Sequence, residues 1–432
     1  MLNLKLDLAR KLDRRIRGKD FFKVSSNITN VINMVKVTTR VRSVEYAIRD
    51  VMVSAKRLEK EGKKIFYLNI GDPVKFDFDT PKHIKDALTK AVDDGANSYA
   101  PSEGLPELRE AICEKERKIN GVKIQPESVI VTQGISEGIQ MLMAAIVEDG
   151  DEVLVPGPTY PPYMSYVKFF GGRPISYETV EEDNWQPNVD DLRGKITEKT
   201  RAIVVINPNN PTGALYDEKI VKQIINVAGE HDLLLISDEI YDRIVFKEGF
   251  VSTSHIAKDV PVVGMNGFSK TYLVTGWRLG YMYFHDSQGI LTELKEGIEK
   301  ETRVRLSANT PVQKAGIAAL KGSQLHIGEM VKKLRDRRDF AWKRLNQIKG
   351  ISCQKPEGAF YVFPKVDGVG SKWKTDKDFA QQLLEKTGVL IVYGSGFDPT
   401  YGSKHFRAVI LPPVETLEKA FDQLEEFMSK SL

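Results

Sequence analysis

Four short segments hold residue types able to do chemistry, and three of them directly follow an apolar run. Lys270 closes Asn266-Gly-Phe-Ser-Lys270, where small neighbours leave room for a ligand to approach an amine. A lysine with a lowered pKa in a closed site attacks carbonyl carbon. Asp238 and Tyr241 lie in Ser237-Asp-Glu-Ile-Tyr241, immediately after Leu-Leu-Leu-Ile. Asn210 belongs to Asn207-Pro-Asn-Asn-Pro-Thr-Gly213, and Arg278 to Thr275-Gly-Trp-Arg278. Each has a plainer reading: a solvated surface amine, a carboxylate capping a helix, a turn set by its Asn, Pro and Gly. Two further places suit anions. Gly134-Ile135-Ser136 lies where a strand gives way to a helix, so free backbone N–H groups there can receive a phosphate. Arg407, in His-Phe-Arg-Ala-Val-Ile-Leu-Pro-Pro, offers the planar fork that a carboxylate prefers.

The surrounding pattern decides whether these residues can meet. Short apolar runs at Ser128–Thr132, Glu152–Val155, Ala202–Ile206, Leu233–Ser237 and Pro261–Met265 alternate with helical stretches. Such runs imply strands buried on both faces of a mostly parallel sheet. Open sheets of this kind bind ligands at the carboxyl ends of their strands, which is where the polar segments fall. Leu279–Phe284 is expected as a strand closing one edge antiparallel. Thr80-Pro81 reads as a cap followed by proline at the first helical position, with Gly95 as the stop. Ser43–Lys60 is a candidate helix and Lys64–Asn69 a candidate strand. After Pro311 the pattern changes to a long charged helix near Ile327–Ile348 and short strands around Ala359–Pro364 and Phe406–Ile410. The expected architecture is α/β: a large cofactor domain over 81–311 with a seven-stranded sheet between helices, and a smaller α+β domain from 41–80 and 312–432. Residues 1–40 form an extension without an interpretable pattern.

In this order, NPNNPTG, DEIY and NGFSK followed by TGWRLG resemble the class I/II aminotransferases of pyridoxal-phosphate fold type I, from about residue 42 to the end. SVEYAIRDV, LNIGDPVKFDF and VPGPTYPPY most resemble archaeal alanine aminotransferases. The resemblance implies pyridoxal phosphate, no metal, and Lys270 as the amine that carries the cofactor as an imine and then moves a proton. Asp238 is implied as partner of the pyridine nitrogen, keeping the ring an electron sink. Tyr241 and Asn210 are implied on the ring oxygen, Tyr160 stacked on the ring face, and Gly134, Ile135, Ser136, Ser269 and Arg278 around the phosphate. Tyr99 resembles a tyrosine that reaches the phosphate of the neighbouring subunit, which implies a homodimer with shared sites. Arg407 is implied on the substrate α-carboxylate with Gly71 beside it. One position departs: the phosphate serine often found three residues before the lysine is Gly267 here.

The implied reaction moves an amino group between an L-amino acid and a 2-oxo acid by a ping-pong route, with alanine and 2-oxoglutarate the favoured pair. Met141–Ile146 has no basic residue, which argues against dedicated aspartate recognition; aromatic and branched-chain donors stay open. Arg303 and Arg305 are candidates for a distal carboxylate, although arginines on a helix are usually solvated.

Other classes fit less well. With 63 basic and 59 acidic residues the charge is too mild for nucleic acid as main partner. The basic stretch Met1–Asp20 reads as a poorly ordered extension, Met34 being a plausible second start, rather than a membrane or DNA arm. Roughly 40 residues before the match are too few for a winged helix, which disfavours a DNA-binding regulator. Gly394-Ser-Gly396 lacks the third glycine of a dinucleotide fingerprint. A C–S lyase or decarboxylating enzyme on the same scaffold remains the nearest rival. Two distant cysteines, Cys113 and Cys353, and no apolar run near the ~18 residues of a membrane span point to the cytoplasm.

Overall fold

The computed structural model describes residues 36–42, 44 and 47–431. The basic segment Met1–Asp20, Met34 and the start of the expected Ser43 helix lie outside them. The chain divides into two compact units at Val44; the described part of the first contains one helical turn, Thr39–Arg42. Everything below concerns the second.

Its centre is a sheet of eight strands. In chain order these are β1 (Val129–Thr132), β2 (Glu152–Gly157), β3 (Arg173–Val180), β4 (Gln186–Pro187), β5 (Thr200–Ile206), β6 (Leu234–Asp238), β7 (Val262–Gly267) and β8 (Gly280–His285). They lie in the order β1-β8-β7-β6-β5-β2-β3-β4. Strands β3, β2, β5, β6 and β7 run parallel, and β8 is antiparallel to both of its neighbours. The count exceeds the expected seven by β4, a two-residue edge strand too short to leave an apolar run in the sequence.

The continuous apolar runs are buried on both faces. Ile203 and Val205 of β5 enter one core while Ala202, Val204 and Ile206 enter the opposite one. That split follows from the two-residue period of a strand. The expectation for Leu279–Phe284 needs correction: the strand is antiparallel but internal. β1 docks outside it, Val129 opposite Tyr283 and Thr132 opposite Gly280. Chain adjacency put β8 beside β7; only tertiary pairing decides that β1, buried throughout, covers β8 in turn.

Helices pack on both faces. Those that matter for the site are α1 (Ala47–Lys60), α2 (Ile135–Ile146), α3 (Pro161–Phe169) and α4 (Thr292–Arg305). A separate core joins the long helices Leu325–Leu345 and Val414–Ser431 to Phe360, Tyr361, Phe379 and Phe406. There Phe406–Val409 pairs antiparallel with Tyr361–Val362 and Val392–Tyr393, and Phe66–Tyr67 runs parallel to Val389–Leu390. Gly394-Ser-Gly396 is a short turn after Val392–Tyr393. Thr80 is not a helix cap. Its hydroxyl donates to the Leu273 carbonyl at 2.6 Å, and the helix Lys82–Asp93 begins after Pro81.

Candidate active site

The carboxyl ends of β1, β5, β6 and β7 converge on a cavity of ≈ 520 Å³. Gly71, Ile135, Ser136, Tyr160, Asn210, Asp238, Tyr241, Ser269, Lys270, Arg278 and Arg407 all line it, although they come from segments far apart in sequence. Gly134 stands behind that lining as the residue before α2.

Lys270 follows β7 after a turn of small residues, and its Nζ donates to the Gly71 carbonyl at 2.7 Å. Burial holds the ammonium well below its ordinary range, at about 8. Asp72 opposes that shift, Arg407 and Arg278 reinforce it, and Asp238 opposes it again. Asp238 is the last residue of β6 and 3% exposed. Burial pushes its carboxyl up to about 6, against the Ile240 N–H at 3.2 Å and the Tyr163 hydroxyl at 3.0 Å, which favour the charged form. The Tyr241 hydroxyl lies 2.7 Å from that of Tyr361, and burial drives the Tyr241 phenol well above its ordinary value.

Arg407 is 1% exposed. It donates to Asn210 Oδ1 at 2.9 Å and to the Asn69 carbonyl at 2.6 Å, with its guanidinium carbon 4.4 Å from the Tyr361 ring centre and 4.8 Å from that of Phe397. Its Nε is buried with no hydrogen-bond partner among the described residues. Asn210 thus meets Arg407 while lining the same cavity as Tyr241.

At the other end of the cavity, Gly134 adopts φ +78° and precedes the first turn of α2. A side chain there would put its Cβ 2.9 Å from the Arg278 guanidinium carbon. Arg278 itself takes the left-handed conformation and donates to the carbonyls of Thr275 at 3.1 Å and Gln133 at 3.3 Å. Gly267 also has a steric reason: a Cβ on it would press on Gly280 Cα at 3.1 Å. Where the family often has serine, a side chain would crowd β8.

Sequence reasoning missed several neighbours. Tyr361, Asp72, Thr275 and Arg49 line the cavity, and Thr275 donates to Asp72 at 2.7 Å. Tyr163, fully buried on α3, touches Asp238 from behind. Its signal was available: Tyr160 and Tyr163 are three apart at a proline-led helix start, so both face the same side. Tyr99 is 79% exposed and does not line this subunit's cavity. Arg303 and Arg305 do not line it either.

A half-buried amine and a buried carboxylate lining one cavity, an arginine with an unpartnered Nε, and a helix start cleared of side chain beside a fixed guanidinium suit a ligand with an aldehyde, a ring nitrogen and a phosphate. The family model for class I and II aminotransferases matches residues 63–424, and this chain belongs to that family, whose members use pyridoxal phosphate. It is an aminotransferase of the aspartate-aminotransferase fold. It is 54% identical to the alanine aminotransferase of Pyrococcus furiosus, with a TM-score of 0.89 over 91% of this chain and 100% of that one. It is 37% identical over 400 residues to the glutamate-pyruvate aminotransferase of Escherichia coli, spanning 91% of this chain and 98% of that one. A single mutant of the Thermus thermophilus aspartate aminotransferase aligns at 33% identity with a TM-score of 0.83, over 91% of this chain and all of that one. No helix among the described residues is long and apolar enough to cross a membrane.

Proposed function

We propose that this aminotransferase exchanges the amino group of L-alanine with 2-oxoglutarate, giving pyruvate and L-glutamate. The observation that carries the reading is Arg49. It lines the mouth of the cavity, is exposed, and has no ion pair among the described residues. Arg407 then takes the α-carboxylate common to every substrate, and Arg49 the distal carboxylate that 2-oxoglutarate has and alanine lacks. The name of the Escherichia relative, glutamate-pyruvate aminotransferase, supports the same pair, and that of the Pyrococcus relative its alanine half.

Pyridoxal phosphate, when bound, supplies an aldehyde for the amino group and a protonated ring that draws electrons from the bond being broken. Gly134, Ile135, Ser136, Ser269 and Arg278 would hold its phosphate, Tyr160 its ring face, Tyr241 and Asn210 its ring oxygen, and Asp238 its ring nitrogen. Lys270 has two tasks. Its depressed pKa makes it a nucleophile near neutral pH, and its Nζ would take up the proton that leaves the substrate Cα. Tyr163 and the Ile240 N–H oppose the protonation of Asp238 that burial favours, which helps a ring nitrogen beside it keep its proton. Arg407, fixed by Asn69 and stacked on Tyr361, orients the substrate so that its Cα hydrogen faces Lys270. The working unit is a cytoplasmic homodimer in which exposed Tyr99 serves the neighbouring site. Residues 81–311 form its cofactor domain, and 41–80 with 312–432 the smaller one.

The test is an absorbance spectrum of purified protein. A yellow band that L-alanine bleaches and 2-oxoglutarate restores is the expected result. A yellow protein indifferent to alanine would overturn the substrate pair. Release of ammonia and pyruvate without any 2-oxo acid would make it a lyase instead.

A further inference from the structure

The start of α2 presents an electrostatic conflict. Helix N-termini attract anions, and the first turn also favours an acidic side chain, because both meet the same free N–H groups and the same dipole. Glu137 is such a residue, immediately after Ser136, and its Oε2 accepts the Gln133 N–H at 2.7 Å. A carboxylate fixed one residue beyond a phosphate site repels the phosphate.

Arg305 answers that charge. At the end of α4, its Nη1 donates to the same Glu137 oxygen at 2.8 Å, with the two side chains only 10% and 18% exposed. Its Nη2 donates to the carbonyls of Ser102 at 2.9 Å and Val131 at 3.3 Å. Arg303, two residues earlier, is 63% exposed and comes no nearer than 3.8 Å to Glu299. Arg305 is therefore committed to the turn between β1 and α2, not to solvent. Neither it nor Glu137 lines the cavity.

We propose that Arg305 is a positioning residue for the cofactor phosphate, cancelling the Glu137 charge and bracing the Gln133–Ser136 turn against the end of β1. This rests on the reading that Gly134–Ser136 and Arg278 receive a phosphate. With Arg305 in place, Arg278 remains as net positive charge at the site; without it, Glu137 offsets Arg278. Unit charges several ångströms apart, partly shielded from water, change anion affinity on the order of ten- to a hundredfold.

The test measures dissociation constants of pyridoxal phosphate and of pyridoxal for the cofactor-free enzyme, read by quenching of tryptophan fluorescence. Arg305→Met should weaken pyridoxal phosphate by about ten- to a hundredfold and pyridoxal by less than about threefold. The double variant Arg305→Met with Glu137→Gln should recover most of the loss. Arg305→Lys, which keeps the charge, should stay within about fivefold of wild type. Glu137→Gln alone leaves Arg305 uncompensated and should bind pyridoxal phosphate at least as tightly, a result available even if Arg305→Met does not fold. Equal weakening toward both ligands, no weakening at all, failed recovery in the double variant or looser binding by Glu137→Gln would each overturn the proposal. Arg278→Met separates it from its premise. If that variant keeps the full preference for pyridoxal phosphate over pyridoxal, the phosphate does not sit at this turn.

Discussion

Replacing Asp238 with asparagine should stabilise the cofactor-free protein while abolishing transamination. The carboxyl is pushed from 3.8 to about 6 by burial, so the folded chain keeps a proton that the unfolded chain releases over that window. Its contribution is fully present below pH 3.8, is lost as pH rises through 6, and stays lost above. At 1.36 kcal/mol per unit the loss is about 1.6 kcal/mol at pH 5 and about 3 kcal/mol at pH 8. Asparagine keeps the shape and an oxygen for the Tyr163 hydroxyl but does not ionise. Urea unfolding of cofactor-free wild type and Asp238→Asn at pH 5, 6.5 and 8 should show a gap favouring the variant that roughly doubles from pH 5 to pH 8. With slopes of about 3 kcal/mol/M, the pH 8 midpoint moves by about 1 M. A gap independent of pH, or a variant less stable than wild type at pH 8, would refute the reasoning. The wild-type penalty is one that a ring nitrogen bound at Asp238, as proposed above, would relieve, so the carboxylate that costs stability in the empty protein would serve the holoenzyme.

Three other outcomes follow from the same geometry. Lys270 titrates near 8 instead of 10.5, so its neutral fraction grows about tenfold per pH unit below 8 and then levels; the rate at which cofactor-free enzyme captures pyridoxal phosphate should follow that curve, and a rise continuing to pH 10 would contradict it. Arg407→Lys loses the fork and the stacking on Tyr361, and kcat/KM for alanine should fall on the order of ten- to a hundredfold in steady-state assays; an unchanged value would remove Arg407 from carboxylate binding. Arg49→Ala should raise KM for 2-oxoglutarate about tenfold and leave KM for alanine within about twofold; equal losses for both would place Arg49 outside recognition.

What was legible in the sequence follows from what a strand records locally. Lys270, Asp238 and Asn210 announce themselves because a polar, small-residue segment ends an apolar run, and in a parallel sheet such ends meet. The internal place of β8 was not legible, because β1 and β8 pair across most of the cofactor half of the chain and neither carries a mark of the other. Edge strand β4 spans two residues and leaves no periodicity to read. Tyr361 looks like one more apolar residue of a short strand until its hydroxyl is seen against Tyr241, and Arg49 resembles any arginine of an amphipathic helix. Arg305 shows the opposite error. Its sequence context suggests a solvated or substrate-binding charge, and only the fold reveals its partner, Glu137, 168 residues earlier in the chain.

The wide separation of partners also sets an order of events for a nascent chain. β1 emerges from the ribosome long before β8, its sole neighbour in the sheet, and Arg407 reaches a carbonyl 338 residues upstream. Contacts of such range form late and slowly. The turn proposed for the phosphate therefore exists as sequence well before it exists as a receptor, and added cofactor would reward only a chain synthesised past β8. Supplying vitamin B6 during expression should raise the yield of full-length protein and do nothing for chains truncated before Gly280.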